Sequence, residues 1–353
     1  MALGISTLRP LSRSRSELAL LTTPASKRIP RNASRQRSTA SFISDNSDQT
    51  SISTTLPTTL GSSRGFATSV PGIDGSCKLS FDVVEPEVAD QQLRGQTLVI
   101  CHGLFGSKQN WRSLSKTFAK RLGIPVYSLD LRNHGHSPHV RPHDYSHMAK
   151  DLGRFMLENG LTKGVNLIGH SMGGKAVMAF ALNGAYNECL NTLISADMAP
   201  SIGKISPEFV AYAKGMREIE EARVKTKSEG DKILTAYEKS LPTRQFLLTN
   251  AMTASDKTIK FRIPLDIIHE SIPSIGDFPY QPGQVTWSGP TLFVKGEHSN
   301  YINRRNIEAC KQFFPNMALE TLDAGHWVHA ERPMEFVDLV DKFVRKATRE
   351  EQI

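Results

Sequence analysis

The run VNLIGHSMGGKAVMAFAL, residues 165–182, constrains this chain more than any other stretch. A four-residue, mainly apolar run of strand type, VNLI, leads into Gly169-His170-Ser171-Met172-Gly173, and a helical apolar pattern starts at once. A G-x-S-x-G sequence alone arises by chance in many proteins, but set between a short apolar strand and a helix it reads as a nucleophile elbow. At the tip of such a turn the serine takes a strained backbone conformation, and side chains two positions before and after it would strike the crossing strand and helix. Glycine at 169 and 173 removes both collisions. The following helix aims its free amides and the positive end of its dipole at the place where negative charge develops. Ser171 is therefore the candidate nucleophile, and the amide of Met172 is one half of a candidate oxyanion hole.

Acyl transfer at such a serine also needs a second amide, a base and an acid. Cys101-His102-Gly103-Leu104-Phe105-Gly106 ends an earlier apolar run, and Leu104 is the candidate for the second amide. Without the elbow, the same residues would read as an ordinary glycine-containing turn. The base is expected after the last strand, where LETL runs into Asp323-Ala324-Gly325-His326, and His326 fits that place. His329 falls inside the start of the next helix and His298 in the turn after a different strand, so both rank behind it. The acid is the difficult member. Its usual turn, FVKGEHSNY at 293–301, holds Ser299 in the slot three residues after Gly296, and Glu297 sits two residues too close to the strand end. LISADMAP offers Asp197 instead, just past an apolar run and 26 residues after Ser171. Neighbouring strands lie about 4.8 Å apart, so an acid on the preceding strand can serve the same histidine. Asp197 is the candidate acid; the alternative is an aspartate that merely caps the next segment.

Around these residues, strand-like runs at 97–101, 126–129, 165–168, 193–195, 291–294 and 319–322 alternate with helical patterns at 111–122, 145–157, 173–182 and 307–314. A last helix is marked by Phe336, Leu339, Val340, Phe343 and Val344 at helical spacing. The alternation predicts an α/β fold with a mostly parallel sheet covered on both faces. Residues at about 200–290 break it, turning charged and helical and then proline-rich, and read as an insertion laid like a cap over one end of the sheet. Phe246, Leu247 and Leu248 are expected to line the pocket beneath it. DLRNHGHSPH, 130–139, reads as a structural turn. The spacing of its histidines would suit zinc, but no cysteine and few acids accompany them, so neither a metal site nor a cofactor is expected. The four cysteines are scattered and read as small buried hydrophobes of a reducing compartment.

The formal net charge of +8 might point to nucleic acid, yet the first 66 residues hold nine Lys/Arg against Glu17, Asp45 and Asp48. Six of the eight charges therefore belong to that leader, and no nucleic-acid partner is expected. Rich in Ser, Thr and Arg and poor in acids, residues 1–66 read as a mitochondrial transit peptide, with Arg64 two residues ahead of a processing bond between Phe66 and Ala67. A disordered Ser/Thr-rich tail is the alternative. No apolar run reaches the ~18 residues a membrane-crossing helix needs, so no transmembrane segment is expected.

HGLFGSKQNW, DLRNHGHSPH, GHSMGGKAVM, ISADMAP, RQFLLTN and AGHWVHAERP together resemble the mitochondrial α/β-hydrolase family of alpha/beta hydrolase domain-containing protein 11, which includes the yeast ethanol acetyltransferases. The resemblance covers residues 76–346. It implies an eight-stranded α/β-hydrolase core with a helical cap, placing the hydrolase domain at 76–353. It also implies hydrolysis of esters and thioesters and, in some fungal members, transfer of an acetyl group from acetyl-CoA to ethanol. The family's triad falls on Ser171, Asp197 and His326, and serine in the usual acid slot is a family trait. The expectation is a monomeric mitochondrial serine hydrolase that acts on small acyl esters or acyl thioesters. An alcohol O-acetyltransferase using the same acyl-serine is the alternative. A non-catalytic binding protein on this scaffold would leave the full constellation without a purpose. Enzymes with a carboxylate nucleophile, such as dehalogenases and epoxide hydrolases, are excluded by Ser171.

Overall fold

The computed structural model describes residues 74–203 and 205–351, and the expected leader with its processing bond lies outside them. Five strands come first: β1 (Ser80–Val84), β2 (Thr97–Cys101), β3 (Val126–Asp130), β4 (Val165–His170) and β5 (Leu190–Ala196). After an inserted segment that carries β6 (Ala251–Thr253) and β7 (Ile259–Phe261), the sheet is completed by β8 (Thr291–Gly296) and β9 (Met317–Leu322). The order across the sheet is β1-β3-β2-β4-β5-β8-β9, parallel throughout except for β1, which runs antiparallel along β3. Among the described residues the main sheet thus has seven strands, where the family resemblance implied eight.

Strands covered on both faces read as unbroken apolar runs, because neither side of the pleat meets water. Every residue of β2 and of β4 is buried. Their alternate side chains feed two separate cores. Leu98 and Ile100 pack with Phe118 of α1 (Arg112–Leu122) and Phe336 of the C-terminal helix 333–351, whereas Val99 and Cys101 pack with α2 (Tyr145–Glu158) and α3 (Met172–Leu182). The helix α3 is buried all round its eleven residues, which explains why its sequence is almost wholly apolar or glycine.

Between β5 and β8, which pair directly, the chain makes an excursion of four helices and the β6–β7 hairpin. Pro207 occupies the first turn of α4 (Pro207–Glu221), where its missing N–H costs nothing. A reciprocal capping box of Thr226 and Glu229 starts α5 (Lys227–Leu234). The helices α6 (Leu241–Leu247) and α7 (Leu265–Gly276) complete the excursion. Leu247 and Leu248 are buried in the core, and of the three residues expected at the pocket only Phe246 reaches a cavity wall. The remaining helices, α8 (Ile307–Phe313), α9 (Val328–Glu331) and α10 (Pro333–Glu351), flank β9.

The turn after β3 is a buried hydrogen-bonded hub. Arg132, wholly buried, grips Asp151 of α2 with Nε and Nη2 at 2.6 and 2.7 Å, a bidentate pair that also fixes the backbone amide of Cys77. His134 accepts from the amide of Phe105 and donates Nδ1–H to the Arg132 carbonyl, while His102 accepts from the amide of Leu131 and donates Nδ1–H to the Gly103 carbonyl. Burial pushes the pKa of His102 down and that of His134 well down, so both rings stay neutral in these bridges. The two imidazoles thereby tie the loop after β2 to the loop after β3.

Candidate active site

Ser171 stands between β4 and α3 with φ 53° and ψ −119°, a conformation costly for a residue with a side chain. It is held there by its own amide, which donates to the Ala196 carbonyl, and by the Lys175 amide, which donates to the Ser171 carbonyl. A Cβ on Gly169 would lie 2.2 Å from the Gly173 carbonyl oxygen, and one on Gly173 would lie 2.5 Å from the carbonyl oxygens of Cys101 and His102. Only glycine at both positions lets the turn close this tightly against β2.

From Ser171 a continuous chain of hydrogen bonds runs inward. Ser171 Oγ lies 2.9 Å from His326 Nε2, and His326 Nδ1 lies 2.8 Å from Asp197 Oδ2. Asp197, at the end of β5 with φ 49°, is fully buried. Its other oxygen accepts from the amide of Gly296 at 3.0 Å, and its Oδ2 also accepts a short bond from the Ser299 hydroxyl. The turn after β8 therefore keeps a role at the acid: Ser299, in the slot where an acid is usual, donates to the carboxylate supplied by the neighbouring strand. Glu297 in the same turn is exposed.

His326 follows β9 and is fixed from several sides. Its carbonyl accepts from His170 Nε2, and one ring face stacks on Tyr301 with centroids 3.9 Å apart. The Glu331 carboxylate accepts from the amides of Gly325 and Trp327, clamping the backbone on both sides of the histidine. The two competing histidines are placed elsewhere. His298 is exposed and bonded to Asp323, and His329 stacks on Trp111 at 4.2 Å. Burial pushes His329 down to about 3 and holds His170 well below its ordinary value, so both are neutral neighbours.

Leu104, in the turn after β2, and Met172, the first residue of α3, both face the cavity beside Ser171 and His326. The amide of Met172 is one of the helix N–H groups without an intrahelical acceptor. The Leu104 loop runs so close that a Cβ on Gly103 would sit 3.1 Å from Ser171 Cβ. Asn250, from the inserted segment, clamps the same loop by donating to the Phe105 carbonyl at 2.7 Å. Lys175 forms part of the cavity wall and donates to the carbonyls of Gly276 and Asp277 at the end of α7, tying the insertion to α3. Its burial pushes the ammonium pKa down to about 8.

Two spaces meet at Ser171. The larger, about 730 Å³, lies beneath the insertion and is walled by Met198, Ile205, Phe209, Ile275 and Tyr301. The smaller, about 30 Å³, is walled by Trp111, His170, Phe246, Trp327 and His329. An arrangement of this kind can take a proton from a hydroxyl as it attacks a carbonyl, and can hold the resulting imidazolium against a buried carboxylate.

Residues 96–333 match the alpha/beta hydrolase fold family. This chain belongs to the α/β-hydrolase fold family. Within it, the chain is 37% identical over 269 residues to an abhydrolase domain-containing protein of Schizosaccharomyces pombe, covering 76% of this chain and 97% of that protein. The sn-1-specific diacylglycerol lipase ABHD11 of Mus musculus is 35% identical, over 70% of this chain and 80% of its own length. A probable alcohol acetyltransferase of Saccharomyces cerevisiae is 33% identical, over 76% and 83%. Among solved structures, a marine microorganism esterase superposes with a TM-score of 0.67 at 34% identity, covering 76% of this chain and 99% of its own. The α/β-hydrolase described here is accordingly an ester hydrolase of the group that contains ABHD11 and the yeast acetyltransferases.

The residues that sequence reasoning passed over are those that hold the others. Glu331 and Tyr301 carry no motif or spacing, and Ser299 was visible only as the occupant of a slot. His170 lies within the elbow sequence itself, but nothing in that sequence shows its bond to the His326 carbonyl.

Proposed function

We propose that Ser171, His326 and Asp197 form a catalytic triad that cleaves small acyl esters or acyl thioesters through an acyl-serine intermediate. The unbroken chain from Ser171 Oγ through the imidazole to a fully buried carboxylate supports this reading above all else. As Ser171 Oγ bonds to the substrate carbonyl carbon, its proton passes to His326 Nε2, and the amides of Leu104 and Met172 hold the oxyanion. Collapse of the tetrahedral adduct breaks the bond to the alkoxide or thiolate, which leaves with the proton from His326. Water then gives its proton to His326 as it attacks the acyl carbon, and collapse of this second adduct breaks the bond to Ser171 Oγ, which takes the proton back from His326 as the acid leaves. Asp197 keeps the imidazole in the Nδ1–H tautomer and stabilises its charged form. Every residue in this scheme comes from one chain, so a monomer suffices.

The unequal spaces on either side of Ser171 favour a substrate with one bulky and one short substituent at its carbonyl, and a short acyl group suits the smaller space. With the acyl group in the smaller space, the acceptor enters through the larger one, whose apolar walls Met198, Ile205, Phe209 and Ile275 favour the second reading, in which a short alcohol replaces water as acyl acceptor; a Saccharomyces cerevisiae relative bears the name of an alcohol acetyltransferase. The experiment combines an acyl-length series of esters and thioesters with an ethanol series at fixed activated acetyl donor. Hydrolysis is expected to be fastest for the shortest acyl groups and to dominate at low alcohol, with ethyl acetate rising as ethanol is added. Equal rates from acetyl to long-chain donors would remove the size argument. Ethyl acetate that never exceeds the uncatalysed background leaves a hydrolase only.

Residues 1–66 lie outside the described structure, and their composition supports import into mitochondria. Amino-terminal sequencing of the endogenous protein is expected to read a start near Phe66, whereas an intact Met1 or Ala2 start in a cytosolic fraction refutes import.

A further inference from the structure

We infer that Tyr301 is a positioning residue that acts through His326, its ring face holding the imidazole between Asp197 and Ser171 and stabilising the imidazolium. The inference rests on the triad reading above. The two rings lie 3.9 Å apart between centroids and only 22° from parallel. The other rings near His326 are differently placed: His170 at 4.8 Å and 41°, Trp327 at 5.9 Å and 56°. Tyr301 alone of the three is stacked face to face on the imidazole.

The backbone around Tyr301 is built to hold that contact. Its amide donates to Ser299 Oγ at 3.2 Å, its carbonyl accepts from Asn306 Nδ2 at 2.8 Å, and the next residue, Ile302, is wholly buried. Ser299 in turn donates to Asp197. One short turn thus sets both the carboxylate at the imidazole edge and the aromatic face above it. Burial pushes the Tyr301 phenol up to about 12, so the ring is neutral and its face electron-rich when His326 takes up the Ser171 proton. A cation over such a face is stabilised by the ring quadrupole, and more so where water is excluded. The interaction is weaker with the neutral imidazole of the resting enzyme, so it favours the transition state over the ground state.

The test uses the full-length enzyme with a short-chain ester. Tyr301→Phe keeps the ring face and is expected to change kcat by less than about twofold, while Tyr301→Leu is expected to lower kcat about tenfold with KM nearly unchanged. Phenylalanine carrying one, two or three ring fluorines at position 301 withdraws π density at nearly constant shape. A stepwise fall in log kcat along that series supports the inference, because a purely steric support would not respond to ring electronics. A flat series, or a folded Tyr301→Leu enzyme with unchanged kcat, overturns it. If Tyr301→Leu fails to fold, the fluorinated series decides alone. Failure of the triad reading is recognised separately, by fluorophosphonate labelling that survives Ser171→Ala.

Discussion

Ser171→Ala is expected to abolish labelling by a fluorophosphonate probe and to lower kcat by on the order of 10⁶, as removal of the nucleophile does in related triads. The probe phosphonylates a serine only if its oxygen is freed of a proton and the developing charge on the phosphoryl oxygen is stabilised. At Ser171 the first condition is met by His326 Nε2 at 2.9 Å, and the second by the amide end of α3. The nearby thiol of Cys101 cannot take over. Cys101 ends the adjacent strand, but it is wholly buried and burial pushes its thiol far up, away from the thiolate that would react. The fold should survive the substitution, since the positive φ at 171 is imposed by the backbone bonds around it and alanine meets the same constraint as serine there. The outcome is read by gel fluorescence after probe treatment, with a thermal melt as the control for folding. Labelling that persists in a folded Ser171→Ala protein sinks the assignment.

How much of this was legible in the sequence follows from where each residue meets water. The strands β2, β3, β4, β5 and β8 lie within the covered sheet and could be read as short, mainly apolar runs, and the edge strand β9, half exposed, still showed in part through LETL at 319–322 just before the glycine-bearing turn. The edge strand β1, SFDVV, could not be read, because it is half exposed and carries Asp82 in its middle. The β6–β7 hairpin has three residues per strand, too few for any period to show. In the site, Ser171 and His326 were legible because a strand–turn–helix and a glycine-bearing turn after the last strand are local patterns. Asp197 could be located by the end of its strand, but its partners could not: Gly296 is 99 residues away and Ser299 is 102. Phe246, Leu247 and Leu248 show the limit of the reverse inference. Being apolar and in the insertion does not say which side of a helix end faces the cavity, and two of the three turned into the core.

Asp197→Asn is expected to lower kcat by on the order of 10⁴, the loss seen when a triad histidine is held in the wrong tautomer. The structure shows why asparagine cannot evade that outcome by turning its amide over. One oxygen of Asp197 accepts from the Gly296 backbone amide, a donor that cannot become an acceptor. An asparagine must keep its carbonyl oxygen there, which leaves its NH₂ facing His326 Nδ1 and the Ser299 hydroxyl. The hydroxyl can rotate to accept, but the imidazole can meet an NH₂ only by giving up its proton at Nδ1. That proton moves to Nε2, the atom that must receive the proton of Ser171, and the base is lost while the geometry remains. Glu297→Gln changes an exposed carboxylate in the turn after β8 and is expected to alter kcat by less than about twofold. Steady-state kinetics on a short-chain ester compare the two variants directly. If Glu297→Gln proved the more damaging, the acid would belong to the turn after β8, and Asp197 would be left as a buried carboxylate that only holds Ser299 and the Gly296 amide in place.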